Sequence, residues 1–287
     1  MASGNRSEPS FAPDFPTTRR GDPGLFGPDS VSWQVHGETT VLFGGARALL
    51  MHAAHPLLIA SARDSGFYKK SPWQRLERTL HLTYAITFGT VDEATKAVGR
   101  INEVHRSVHG VDEFTGRRYD AFDPDLLLWV HACLVDSALL FERLTVGRLN
   151  DDGRQRFHEE QMTVAELLGL ARARIPPTVR QLRAYIDEMV AGKELRVTDD
   201  AREFAGLFRD PPRETTWRPL VRRLAWWAFA TLPPRLAADY GAPTSPVRTT
   251  ALRVSLGALR LLRPAIPIRL RYILPAREAR QRLHLSR

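Results

Sequence analysis

The chain has 287 residues, 43% of them hydrophobic and 25% charged, the proportions of a globular protein with material for a sizeable core. Its single cysteine, Cys133, excludes an intrachain disulfide and any cysteine-rich metal site. The formal net charge is +9, and all of it is accounted for between Pro246 and Arg287, where ten arginines face one acid, Glu278. Such a block predicts contact with anionic lipid, nucleic acid or an acidic partner, unless it is simply a solvated arginine-rich end.

Residues 1–28 are rich in Pro, Gly, Ser and charge and read as a mobile arm. They lack the apolar core of a secretory signal, and no run of about 18 apolar residues follows, so a cytoplasmic location is expected, with peripheral contact at the inner membrane surface through the basic end. GPDSVSWQVHGE (27–38) leads into a long helix expected from Thr40 to Arg63, in which Leu42, Ala46, Leu49, Leu50, Ala53, Ala54, Leu57 and Leu58 recur at the helix period. Pro56 inside that pattern predicts a kink near His52–His55. Ser71 as N-cap, Pro72 behind it and Gln74 beyond predict a second helix that stops at Gly89. Thr90 and Glu93 repeat the capping device, and that helix is expected to reach Gly110, a residue suited to a C-terminal cap.

Residues 111–122 read as a loop or short hairpin. Asp123 and Pro124 then open a helix that is apolar nearly all round, the mark of a central, buried element. Further helices are predicted near 153–172, 178–191, 199–209, 215–231 and 246–262, punctuated by proline pairs at 176–177, 211–212 and 233–234. The last stretch suggests one or two short amphipathic helices. The fold class is therefore all-α. One multi-helix domain over 29–245 lies between the arm (1–28) and a basic amphipathic segment (246–287).

Several chemistries lose their usual support, because the chain holds no GxGxxG after a strand, no GxxxxGK[ST], no HExxH, no GxSxG and no CxxC. His105 is the first candidate site residue. It shares a helical face with Ile101 and Val108, so its ring is expected in the core. A neutral imidazole there suits a haem-iron axial ligand, or a core histidine satisfied by a backbone carbonyl. Arg75, Arg78 and Thr79 share one face of their helix, expected to be buried; two guanidiniums there need acceptors, whether haem propionates, a bound oxygen species, Glu77 or solvent. His52 and His55 have the spacing to reach one metal but no third ligand nearby, which favours a structural role. His131 and Asp136 lie in the apolar helix and need partners, and His109 sits near a helix end as a weaker ligand than His105.

Taken in order, GPDSVSWQVHGE, GGARALLMHAAHP, SPWQRLERT, FGT, INEVHRSVHG and YDAFDPDLLLWVHACLVDS resemble the MpaB-type oxygenase and rubber oxygenase (latex clearing protein) catalytic-domain family, over roughly residues 27–235. The resemblance implies an all-helical fold with a central bundle enclosing a haem b pocket, and oxidative cleavage of isoprenoid double bonds with dioxygen. It implies His105 as the proximal iron ligand and Arg75 and Thr79 as the Arg-xxx-Thr pair beside the haem. Arg78 matches a position where rubber oxygenases carry a lysine that can bind iron distally; an always-protonated guanidinium is a poor ligand. His55 and His131 are carried over as pocket-lining residues. The substrate implied is an apolar small molecule or prenyl lipid, and nucleic acid is not an expected partner. The readings that compete with an oxygenase are a haem sensor or carrier without turnover, and a helical scaffold binding anionic lipid or nucleic acid through its arginine-rich end.

Overall fold

A computed structural model describes residues 21–66, 72–211, 218–242 and 245–284, with backbone alone for 72–75. Among these residues the chain is all-α, with one two-stranded hairpin. In order come α1 (Val31–Gly37), α2 (Gly44–Ala53), α3 (Pro56–Asp64), α4 (Pro72–Phe88), α5 (Val91–Arg106), β1 (His109–Val111), β2 (Arg118–Asp120), α6 (Pro124–Thr145) and α7 (Asp151–Leu167). They are followed by α8 (Val179–Ala191), α9 (Asp199–Arg209), α10 (Arg218–Ala230), α11 (Pro234–Asp239), α12 (Pro246–Leu262), α13 (Ile268–Arg271) and α14 (Leu274–Arg282).

The apolar helix α6 is the hub, as its composition predicts. Asp123 caps it by accepting the Asp125 N–H at 2.8 Å, with Pro124 in its first turn. Trp129, Ala132, Cys133, Val135 and Leu139 are buried in one cluster with Leu50 and Met51 of α2, Phe157 of α7 and Phe204 of α9. It is also the one helix among the described residues long and apolar enough to cross a membrane, and most of that apolar span is buried inside the protein. At Gly44 of α2 the backbone comes so close to α6 that a Cβ would stand 2.7 Å from the Ser137 carbonyl oxygen, so a side chain there would part the helices. One turn on, the buried guanidinium of Arg47 meets Asp136 at 2.8 Å, Ser137 Oγ at 2.7 Å and, through Nε, the Thr231 carbonyl at 2.9 Å. Asp136, which needed a partner on sequence grounds, finds it in Arg47 rather than in His131.

The helix expected from Thr40 to Arg63 is not one kinked rod. A short 3₁₀ turn (Val41–Phe43), α2 and α3 replace it, and the axis turns by 100° between α2 and α3. The residue before a proline is excluded from helical geometry, and His55 duly adopts φ −89°, ψ 117° and becomes the N-cap of α3. The carbonyls at the end of α2 receive donors from elsewhere, Leu50 in addition to the Ala54 N–H of its own helix end. Tyr240 Oη donates to Leu50 at 2.7 Å, Trp129 Nε1 to Met51 at 3.2 Å, and the Arg196 N–H to Ala54 at 2.8 Å.

The Thr90–Glu93 capping box is present, with hydrogen bonds of 3.2 and 2.8 Å. The Ser71 cap lies outside the described residues. Helix α5 ends at Arg106, not at Gly110: Gly110 pairs with Tyr119 in the β1–β2 hairpin, and a Cβ there would meet the Tyr119 hydroxyl oxygen at 2.5 Å. Its glycine is needed for a ring, not for a helix cap. Helix α7 stops at Leu167, short of the expected 172, with Gly169 at φ +97° turning the chain away.

The basic C-terminal segment is stitched to the body. Arg263 forms a bidentate ion pair with Glu38, both buried, with its Nε 3.1 Å from Oε2. The Thr39 N–H donates to the Arg271 carbonyl at 2.9 Å, the Ile273 N–H to Gly37 at 3.0 Å, and Arg282 donates to the last carbonyl of α4, Phe88, at 2.7 Å. Leaving one buried charge without its partner costs about 3–5 kcal/mol. Arg263→Ala is therefore expected to lower the unfolding free energy by that amount, seen as a lower denaturant midpoint at an unchanged m-value in urea unfolding followed by circular dichroism.

Candidate functional site

Helix α5 follows α4 after a short turn at Gly89–Thr90. Gly89 occupies it because a Cβ would lie 2.4 Å from the Ala85 carbonyl oxygen. Asp22 strengthens the turn by accepting the Val91 N–H at 2.9 Å, a carboxylate at a helix N-terminus. Helices α4 and α5 pack against each other, with Arg75, Arg78 and Thr79 in the first half of the one and His105 in the last turn of the other.

Their burial differs from expectation. Arg78 and Thr79 are exposed, as are Glu77 and His81 around them, and the Arg75 side chain lies outside the described residues. The reason is tertiary: α4 is covered at its other end, where Ile86, Thr87 and Phe88 are buried and Phe88 meets Trp33 edge-on at 5.4 Å. On α5 the buried face is Val91, Ala94 and Ala97; Ile101 and His105 continue it half-buried, whereas Val104 is 47% exposed.

His105 stands edge-on to Phe122, with ring centroids 5.7 Å apart. Its Nδ1 is buried with no hydrogen-bond partner, and burial pulls its pKa below the ordinary value, so the imidazole is neutral near pH 7. One turn earlier, Asn102 donates from Nδ2 to the Leu167 carbonyl at 3.0 Å and keeps Oδ1 buried and unpartnered. His55 approaches the same β2–α6 junction from α3. It is 5% exposed with Nδ1 unpartnered, and its pKa falls to about 4, chiefly through burial, in the fields of Glu194, Arg117 and Asp123. Leu57, Ala60, Tyr119 and Leu126 form the apolar floor there, with Leu58 and Val108 against them.

His131 goes elsewhere. Its ring lies 5.9 Å from that of His158 on α7, and its Nε2 is buried without a partner. His158 is held by the Pro176 carbonyl, 2.7 Å from Nε2. The structure therefore sets His105 against Phe122, leaves His55 at the start of α3 in the fields of Glu194, Arg117 and Asp123, and pairs His131 with His158. Asn102 was open to sequence reasoning, since it lies three residues before His105 on the same helix. Phe122 and His158 reach their positions through tertiary packing, which no local pattern announces. His52 turns to the Val130 carbonyl at 3.2 Å, and His109 is exposed.

Among the described residues no three or more His, Cys, Asp or Glu side chains gather as a metal site. A porphyrin supplies four nitrogens of its own and asks the protein for an axial imidazole, a ring nitrogen left free and cations for its propionates. His105 fits the first two requirements, and the guanidinium of Arg78 has the chemistry of the third.

Comparison with known proteins agrees with the motif reading. A family model described as "ER-bound oxygenase mpaB/B'/Rubber oxygenase, catalytic domain" matches residues 33–263. An uncharacterized protein of Mycobacterium tuberculosis and one of Mycobacterium bovis are each 28% identical over 120 residues, which is 42% of this chain and 47% of theirs. The chain thus spans about half the length of the curated relatives it matches. No solved structure matches.

Six histidines are held neutral by burial. His36, His52 and His55 are depressed to about 4, His131 to about 3, and His105 and His158 downward. The unfolded chain protonates them near 6.5, so acid favours unfolding. Stability is expected to be at its plateau above about pH 6.5 and to fall as the pH drops towards 4. Each fully shifted histidine contributes about 1.4 kcal/mol per pH unit. Thermal melts across that range test this, and His131→Gln should flatten the acid slope by about one proton's worth.

Proposed function

The chain belongs to the family of ER-bound oxygenase mpaB/B′ and rubber oxygenase catalytic domains, and on that premise we propose that it is a haem b-dependent oxygenase acting with dioxygen on an apolar, unsaturated, isoprenoid-like substrate. The observation that carries the reading within the site is His105: a half-buried, neutral imidazole on α5 with an unpartnered ring nitrogen.

Bound haem would supply the iron at which dioxygen is activated; the protein supplies position and surroundings. His105 would hold the iron through its imidazole, and the Phe122 ring packed against it restricts its rotation. Because burial keeps this imidazole unprotonated, the lone pair is available at physiological pH. Arg75 and Arg78, on the helix that packs against α5, would offer positive charge to the propionates or to negative charge developing on the substrate side. Thr79 adds a hydroxyl beside them. His55 lies beside the packed apolar cluster of Leu57, Ala60, Tyr119 and Leu126, which keeps water from that side of the site. In this arrangement His131 acts at a distance, as part of the α6–α7 packing.

The test is an absorption spectrum of protein produced with adequate haem, beside a His105→Ala variant whose fold is checked by circular dichroism. A Soret band in the parent, lost or shifted in the variant, is expected, together with alkene-dependent oxygen consumption by the parent. No Soret band in the parent would overturn the proposal. A band without substrate-dependent oxygen uptake across isoprenoid alkenes would reassign the chain as a haem carrier or sensor.

A further inference from the structure

Helix α12 is apolar on two opposite sides. One side packs Leu252, Leu256 and Leu259 against Phe141 of α6 and Trp227 of α10. On the other, Val247, Ala251, Val254, Ala258 and Leu261 recur at four and three residues and are all exposed, Val247 at 79%, Val254 at 66% and Leu261 at 81%. The exposed aliphatics continue past the helix with Leu262, Ile268, Leu270 and Leu274. Of the twelve large hydrophobic residues exposed among the described residues, seven fall between Val247 and Leu274. A protein surface seldom concentrates apolar side chains in this way without something to cover them.

The charges around the stripe select the occupant. No acidic residue occurs from Pro246 to Arg277, and exposed Arg253 and Arg269 flank the aliphatics, while Arg260 turns to the Arg143 and Gly147 carbonyls. A second copy of the same face would set arginine against arginine with no acid in reach. Nucleic acid would satisfy the guanidiniums but leave the valines and leucines in water. An anionic bilayer satisfies both, since its headgroups take the arginines and its acyl boundary takes the aliphatics. We propose that the outer face of α12, continued by Ile268 and Leu270, docks this protein on the surface of an anionic lipid bilayer. The contact leaves the core untouched, because the inner face of α12 and the Glu38–Arg263 pair stay buried. It rests on this surface alone and holds whether or not the chain binds haem.

The test uses the full chain in co-sedimentation with vesicles of phosphatidylcholine alone and vesicles containing phosphatidylserine. The parent is expected to bind the anionic vesicles, to ignore the neutral ones, and to release as salt rises. Two variants separate the contributions: Val254→Ser with Leu261→Ser, and Arg253→Gln with Arg269→Gln, all at exposed positions. Each pair is expected to weaken binding about tenfold or more while keeping the parent's melting temperature. No binding of the parent to anionic vesicles, or variants that bind as the parent does, would overturn the proposal. So would a concentration-dependent dimer, seen by sedimentation velocity and abolished by the Val254/Leu261 pair, which would assign the face to a second copy.

Discussion

The fold depends on a buried charge that has to be neutralised. Arg47 sits in α2, where the close approach at Gly44 leaves no room for water, and its guanidinium is matched by Asp136 and Ser137 of α6 and the Thr231 carbonyl following α10. Sliding α2 along α6 by one turn would leave a cation unpaired in the core, a penalty of several kcal/mol that apolar contacts alone would not impose. Hydrophobic burial drives these helices together, and the arginine sets the register at which they stop. With α2 and α6 locked, the ends of α2 are locked as well, and the direction in which α3 leaves follows from His55 and Pro56.

The 100° turn between α2 and α3 shows where sequence reading succeeds and where it runs out. Pro56 announces a disturbance, and the apolar period on both sides of it is read correctly. What local pattern cannot supply is the destination of the freed carbonyls, because their donors, Tyr240, Trp129 and Arg196, come from distant parts of the chain. A kinked helix and two helices at right angles have nearly the same local sequence. The difference lies in whether remote donors exist to satisfy the open ends. Gly110 teaches the same lesson, since a glycine after a helix reads as a cap until Tyr119 is known to lie across it. By contrast, the Thr90–Glu93 box and the Asp123–Pro124 start were fully legible, because each is closed within four residues.

The candidate site divides along the same line. The identity and helical face of His105 and the recurrence of Arg75, Arg78 and Thr79 at one helix face can be read directly. Their exposure cannot, since it depends on which remote elements cover α4, and α14 and α1 cover only its far end. The apolar floor beneath His55 and the aromatic edge against His105 come from the hairpin and the start of α6, which are distant from α3 and close to α5 only through the β1–β2 turn. A site is a property of several elements at once, whereas a motif belongs to one.

The C-terminal segment carries one more consequence of burial. Its arginines look alike in sequence, yet Arg263 is buried against Glu38 while Arg253 and Arg269 face water. Arg263 fastens the segment to the end of α1 and Arg282 to the end of α4, whereas Arg253 and Arg269 are left to the surface. Because the Thr39–Arg271 and Ile273–Gly37 backbone bonds continue that seam, the exposed aliphatics beside it are held on a rigid frame rather than on a loose tail. A rigid apolar stripe cannot fold in on itself to escape water, and a flexible one would. The same ion pair that makes the segment part of the core therefore keeps its outer face presented, which ties the stability of the fold to the use of its surface.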